Sequence, residues 1–456
     1  MTRRPAAEAP GWRPIARGLY RNALDIFPPE AFEKDFVRRR FLGREQIILC
    51  DPDAIRHILV EHPENYRRTA ATVRILRPVL GGGLLLAEGE EWRRQRRILA
   101  PAFAPRTLPL VAWHAGFAAE RAAARLAAAA RPVDLLPELQ LLTLEVAGRA
   151  MFSLETERFA APMRRLLLDY GADLGRPSPL DIMLPLWLPS PRDLRRRRFR
   201  RRWRALLDEI IAERRSRGAA AAPGDLFDLI AAARDPESGA GFTARGLADE
   251  VATLIVAGHE TTALALFWSL YLLCEAPGAM ARLHAEAAPL DLAPERAAES
   301  LPRLVYTRAV VEEALRLYPP AFAIARQARA ADRAGGIAIP ARAVILIAPW
   351  VLHRHRRSWE EPERFEPARF LPPAPRPDRF RYLPFGVGPR TCIGAQFALV
   401  EASLVLARLV QAFAIERIGD ERVRPVGVVT TRPDPAPLFR LRPRSGTSDW
   451  RRPYPC

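Results

Sequence analysis

Phe385-Gly386-Val387-Gly388-Pro389-Arg390-Thr391-Cys392-Ile393-Gly394 sets one cysteine in a glycine-punctuated loop, and the residues that follow, Ala395, Phe397, Ala398, Leu399, Val400 and Leu404, have the spacing of an apolar helix. Gly388 and Gly394 let the backbone approach a flat ligand closely and adopt positive φ without a Cβ penalty. Pro389 stiffens the loop between them. A helix starting here aims its free amides and the positive end of its dipole at the sulfur, which favours thiolate over thiol. Arg390, just before the cysteine, is placed to meet an anionic group on a ligand's edge. The arrangement suits a thiolate that ligates the metal of a flat cofactor. The competing reading is an inert core cysteine, because cysteine is among the most buried residue types.

Working outward, the chain of 456 residues is 49% hydrophobic and long enough to bury a large core. Met1 to Arg21 is broken by Arg3, Arg4, Glu8, Arg13 and Arg17, so no signal peptide or membrane anchor is read there. The four cysteines, Cys50, Cys274, Cys392 and Cys456, form no Cys-x-x-Cys pair, which argues against a zinc site or a disulfide framework. The formal charge of +18 comes almost wholly from arginine, with Lys34 the single lysine. The densest run, residues 192–204, leads into a helical pattern and reads as a solvated helix face. A polyanion-binding surface is the other reading.

Residues 36–41 and 46–49 read as a strand pair around Gly43, and Asp51-Pro52-Asp53 starts a short helix. Residues 90–317 are dominated by long amphipathic segments rich in good helix formers. Short β-like runs follow at 336–340 and 343–347, then a proline-rich stretch at 359–384 with little helical character. After the cysteine helix, strand-like residues 426–431 and 438–441 and a polar tail leave no room for an attached reductase. Residues 249–275 read as one helix about 40 Å long. A membrane span is disfavoured by His259 and Glu260 near its centre. Gly258 weakens that helix locally and Thr261 bonds its own turn or an inserted water, making a polar notch. Glu313 and Arg316 lie at i and i+3, where they pair; taken alone, such a pair is an ordinary surface contact worth under about 1 kcal/mol.

Phe385, Gly388, Arg390, Cys392 and Gly394, continued by Phe397, Ala398 and Glu401, resemble the haem-binding signature of the cytochrome P450 family. Ala257-Gly258-His259-Glu260-Thr261-Thr262 is similar to the family's segment across the distal haem face, and Trp92 with Arg96 to its Trp-x-x-x-Arg helix. Glu313 and Arg316 resemble its Glu-x-x-Arg pair, closed by a later arginine: Arg364 by spelling, Arg369 by spacing, with Arg369 the assignment. The resemblance runs over about residues 39–442; His355, where the family often has aspartate, is a small departure.

The resemblance implies a mainly α fold with a small β-rich lobe. It also implies a single catalytic domain at 31–442, flanked by an N-terminal extension (1–30) and a polar tail (443–456). The implied cofactor is haem b, with Cys392 as the iron's axial ligand and Trp92, Arg96, Arg326 and Arg390 clamping the propionates. Thr261 and Glu260 deliver protons to dioxygen beside Ala257 and Gly258, and His259 points away as a packing residue. Electrons come from a separate ferredoxin or flavodoxin and its NAD(P)H reductase, with Arg93, Arg94 and Arg97 as a docking surface or as plain solvated charges. The implied activity is hydroxylation of a lipophilic small molecule by a cytoplasmic monomer that binds no nucleic acid. Residues 76–86, Ala257, 321–324 and 428–430 line the pocket, with Arg74 or Arg77 available to grip a fatty-acid carboxylate. A peroxide-driven or isomerase enzyme, and a haem sensor, are the alternatives.

Overall fold

Eight helices position everything that follows: α1 (Ala70–Leu80), α2 (Gly89–Leu99), α3 (Leu108–Ala127), α4 (Leu135–Phe152), α5 (Pro191–Ser216), α6 (Ala244–Glu275), α7 (Val305–Leu317) and α8 (Ala395–Ala412). They come from a computed structural model that describes residues 21–41, 43–129, 131–152, 157–216 and 225–444. Most of the N-terminal extension and of the polar tail, and Cys456, lie outside the described residues. Thr243 caps α6 by accepting from the Gly246 amide. From Ala263 to Leu273 every side chain of α6 is buried, as befits a helix that is apolar on all sides and runs through a core. It packs against α4, α7 and α8. Ala112, Ala115, Ala119 and Ala123 give α3 a small-residue face, which lets it lie close to α8 in the same cluster. Among the described residues α6 and α8 are long and apolar enough to cross a membrane, but 67% and 61% of their most apolar windows are buried inside the protein, so both serve as core helices.

The β-rich lobe begins as read, with strand Phe36–Phe41 antiparallel to Arg44–Leu49. The second strand pairs in parallel with Val344–Ile347, which is antiparallel to Ile324–Ala328. Ile47 and Ile345 face each other in register and are fully buried. The strand-like stretch at 426–431 proves to be two strands, Arg424–Gly427 and Thr431–Asp434, with 428–430 as the turn between them. That hairpin is pinned to the core: Trp268 Nε1 of α6 donates to Thr431 O (3.0 Å) and Thr431 Oγ1 donates to Pro319 O (2.7 Å).

The arginine run on α5 is a solvated face only in part. Arg196, Phe199, Trp203 and Leu207 form a buried stripe at helical spacing. Arg196 pairs with Asp181 (2.5 Å) and Asp193 (3.1 Å), and Trp203 Nε1 donates to Val79 O (2.8 Å). Arginines here staple α5 to α1 and to residues 173–193, Arg204 reaches Asp249 of α6 (3.2 Å), and Arg197, Arg198, Arg201 and Arg202 face water.

Between α1 and α2 the chain lies directly on α6. A Cβ on Gly81 or Gly83 would come within 2.1 Å of Asp249 or 2.2 Å of Thr253, so only glycine allows this contact. Asp249 accepts from the Gly82 amide (2.9 Å) and Glu250 Oε2 from the Leu84 amide (3.1 Å), while Glu250 Oε1 has no partner. Burial pushes the Glu250 carboxyl up to about 8. Its proton is therefore held in the folded protein and lost in the unfolded chain over the window from 4.5 to about 8, so stability falls as pH rises through it. Glu250→Gln, which stays neutral and keeps an acceptor for Leu84, should be more stable than the parent by on the order of 2 kcal/mol on the alkaline side of that window and equal to it on the acid side. Denaturant melts at the two ends check this.

Candidate active site

The cysteine loop is closed on itself before α8 begins. The Cys392 amide donates to Phe385 O (2.8 Å), the Thr391 amide to Gly388 O (3.0 Å), and Thr391 Oγ1 to Phe385 O (3.3 Å). Positive φ falls at Gly386 (70°) and Gly388 (78°); Gly394 has φ −91° as the N-cap of α8, contrary to the expectation that it too would be left-handed. The space at Gly388 is taken by backbone, because a Cβ there would sit 2.4 Å from Leu59 O. With no metal on the sulfur, the thiol form is favoured. Burial raises the Cys392 thiol and outweighs the opposing Gly394 amide and the charge of Arg96. Ligation to a metal is what would remove this proton.

Cys392 is exposed by surface area although atoms crowd it on most sides, so its sulfur is open to a ligand. The middle of α6 opens in the same way: among largely buried neighbours, Leu254, Ala257, Gly258 and Thr261 are accessible at i, i+3, i+4 and i+7, one helix face. An added Cβ at Gly258 would meet no atom within 4 Å. The two openings border one apolar cluster, in which Phe397 of α8 and Ile255 of α6 are buried with Ile393 and Val256 at the edge. On the open face Thr261 Oγ1 donates to Ala257 O (2.6 Å). His259 faces away: its Nδ1 lies 3.2 Å from Ile255 O, and its carbonyl accepts from Thr143 Oγ1 of α4 (2.8 Å).

Beside the cysteine, Arg96 Nη1 donates to Thr391 O (3.1 Å). Arg390 stacks over the Trp92 ring (4.5 Å to the centroid) and donates to Ala87 O (2.9 Å). Among the described residues the Arg326 guanidinium donates only to the adjacent Ala325 O (3.0 Å). Burial and the charge of Arg390 bring it down to about 10. Arg68 joins this group, lowered to about 9 by burial, Arg390 and Arg326, with Glu88 as the opposing carboxylate. Three guanidiniums that repel one another make a site for more than one anionic group. Arg68 was missed in the sequence because Tyr66-Arg67-Arg68 carries no motif; only the fold brings it beside residues 326 and 390.

Glu260 is placed differently from Thr261. Its Oε1 accepts from Thr430 Oγ1 (2.6 Å) and Arg432 Nε (2.8 Å), and Arg432 Nη2 also reaches it. Burial alone would raise its carboxyl, but Arg432, Thr430 and His259 outweigh that and hold it below the usual range. The sequence paired Glu260 with Thr261; the structure ties it to the C-terminal hairpin.

Glu313 and Arg316 are fully buried and joined by two hydrogen bonds (2.7 and 2.8 Å). Arg316 also donates to the carbonyls of His353 (2.8 Å), Pro362 (2.6 Å) and Arg364 (2.9 Å). Arg369 Nε lies 3.6 Å from Glu313, while the Arg364 side chain turns outward to Glu361 (2.8 Å). Arg93, Arg94 and Arg97 are engaged by Glu90, Glu91 and Asp235, which weakens the idea of an open basic docking face there.

A family profile for cytochrome P450 matches residues 30–436. The chain belongs to the cytochrome P450 family. It is 33% identical over 431 residues to cyclooctatin synthase of Streptomyces melanosporofaciens, covering 91% of each chain. It is also 33% identical to cyclooctat-9-en-7-ol 5-monooxygenase of the same organism, covering 92% of this chain and 89% of the relative. Among solved structures it superimposes on the cytochrome P450DA heme domain with a TM-score of 0.78, at 26% identity and 90% coverage of both chains. The protein is thus an oxidoreductase of the cytochrome P450 monooxygenase type, with the mainly helical P450 fold. The family and fold imply a haem cofactor, and the residues present fit one: an accessible cysteine sulfur, an open face on α6 and an under-neutralised arginine cluster.

The tie between Glu260 and Arg432 makes a prediction for this P450. In Arg432→Gln the upward push of burial on Glu260 loses its main opponent, so the carboxyl takes up its proton at a higher pH than in the parent. Product formed per O2 consumed, followed against pH, should show an inflection displaced to higher pH than any in the parent. The Glu260→Gln/Arg432→Gln double variant should lose it; an identical inflection there would assign it to another group.

Proposed function

We propose that this cytochrome P450 holds haem b and hydroxylates an uncharged, lipophilic cyclic molecule, terpenoid in kind, in the cytoplasm, as a monomer served by a separate ferredoxin or flavodoxin and its NAD(P)H reductase. The observation that carries the substrate class is the state of Arg74. Its guanidinium is buried and spent on Asp193 (2.8 Å) and on the carbonyls of Pro185 (2.6 Å), Leu188 (3.1 Å) and Leu184 (3.4 Å), so it does not grip a substrate carboxylate. The accessible face of α6 offers a substrate leucine, alanine and glycine carbon and one hydroxyl. The name of the relative cyclooctat-9-en-7-ol 5-monooxygenase, which gives an unsaturated cyclic alcohol as its substrate, supports the same class.

When bound, the haem would supply the reductive activation of dioxygen, one atom of which enters a C–H bond while the other leaves as water. Cys392, kept in place by the loop's internal hydrogen bonds, would hold its iron. Arg96 would offset negative charge at the sulfur, and Arg68, Arg326 and Arg390, the last braced on Trp92, would hold its anionic groups. Thr261 keeps its hydroxyl proton on Ala257 O until it turns toward the cavity, and Glu260, once it leaves Arg432, returns a proton to it. Thr430 of the hairpin turn meets Glu260 of α6 (2.6 Å), which supports residues 428–430 as part of the substrate pocket.

The test is a titration of the Soret absorbance with a neutral cyclic terpene alcohol and a carboxylic acid of similar size. The alcohol should bind at least about tenfold tighter, since a buried carboxylate without a partner is costly. An acid that binds as well or better would overturn the neutral pocket.

A further inference from the structure

Among the described residues a cleft of about 320 Å3 opens between Phe32, the C-cap of α7 at Tyr318 and the start of strand Arg424–Gly427, and none of its lining residues belongs to the site around Cys392. That volume is in the range of small-molecule sites. Three aromatic rings line it: Phe32, Trp350 and Tyr318. The last two are held in fixed planes. Tyr318 stacks on Trp268 of α6 (3.9 Å between centroids, 7° between planes), and Arg354 lies over the Trp350 ring (3.8 Å to the centroid).

The charge in the cleft is unbalanced. Arg354 is spent on Glu363 (3.2 Å) and on the carbonyls of Trp350 (3.4 Å) and Leu317, and Arg424 on Asp25 (2.8 Å). Arg422, also in the lining, is exposed and has no carboxylate within ion-pair distance among the described residues. The Tyr318 hydroxyl likewise has no hydrogen-bond partner among them. Burial raises its phenol and outweighs the charges of Arg354 and Arg422, so the group stays protonated and can donate. A flat ring with a single negative charge answers all of these features: the ring replaces water against Phe32 and Trp350, and the anion meets Arg422 and accepts from Tyr318. A saturated acid would forgo the ring contacts, and a neutral ring would forgo the charge-assisted bonds.

We propose that this cleft is a second binding site, for an aromatic monocarboxylate. Its charge preference is opposite to that of the substrate pocket proposed above, and it does not rest on that reading.

The test uses the full-length holoprotein with its haem site filled by an azole, whose occupancy is followed in the Soret band. Naphthoate, its neutral twin naphthamide and its saturated twin decalin carboxylate are titrated by calorimetry. Naphthoate should bind one-to-one without displacing the azole, with a Kd below about 1 mM and at least about tenfold tighter than either twin. Arg422→Gln should remove the preference for naphthoate over naphthamide, and Tyr318→Phe, which keeps the stack on Trp268, should weaken naphthoate by about fivefold. Phe32→Ala should weaken naphthoate and naphthamide alike. Unchanged melting temperatures and carbon monoxide spectra certify each variant. No saturable binding, equal affinity for the three ligands, displacement of the azole, or a naphthoate preference that survives Arg422→Gln overturns the proposal.

Discussion

Cys392→Ser is expected to abolish the strongly red-shifted Soret band of the reduced, carbon monoxide-treated protein and to cut product formation by about a thousandfold, or about 4 kcal/mol of barrier. A thiolate pushes electron density toward the metal and favours O–O cleavage, and a serine hydroxyl stays protonated and gives no such push. The fold should survive the change. The residue 392 amide still donates to Phe385 O and Arg96 still reaches Thr391 O, because both contacts are made by backbone that serine leaves in place. A melting curve close to the parent's would therefore accompany the spectral loss. Retention of the band would mean that another sulfur serves, and the two other described cysteines are poor candidates. Burial pushes the Cys274 thiol up to about 11 and the Cys50 thiol up to about 12, and each lies against a carbonyl oxygen, of Ile415 and Ala31 respectively.

Arg316→Met should cost about 3–5 kcal/mol of stability, the range for breaking a buried ion pair from one side. Glu313 is fully buried, and burial already pushes its carboxyl up against the pull of Arg316. With the guanidinium gone, that carboxyl is left with the Glu366 amide (2.8 Å) and the more distant Arg369, and the carbonyls of His353, Pro362 and Arg364 lose the guanidinium that donates to them. Urea melts and the fraction of protein recovered with haem are the measurements. Glu313→Gln/Arg316→Met should regain part of the loss, because no charge is then stranded. Arg369→Met, which removes a 3.6 Å contact and a bond to Glu360 O, should cost much less. If Arg316→Met melted with the parent, the pair would be ornamental to this fold.

Motifs made of neighbours in the chain were the legible part. The cysteine loop, the α6 segment 257–262 and the Glu313–Arg316 pair each place their functional groups within one loop or one helix turn, so spacing alone carries geometry. Helical periodicity also exposed α6 and α8, whose apolar character extends over many turns. The short strands were less legible: the hairpin at 424–434 merged with its own turn, because a few extended residues on either side of a turn carry little periodic signal.

What the sequence determined by itself, then, is the family and the fold, because these rest on local spacing and on long apolar periodicity. The duties of individual arginines were decided only by tertiary structure. Arg74 looked like a substrate clamp and is a buried staple to Asp193; Arg196 looked solvated and is buried on Asp181; Arg432 carried no motif and holds Glu260. A guanidinium is written the same way whether it faces water, a carboxylate or a ligand. Its charge is settled by partners that are distant in sequence, 119 residues away for Arg74 and Asp193 and 172 for Arg432 and Glu260, and only folding brings those partners within reach.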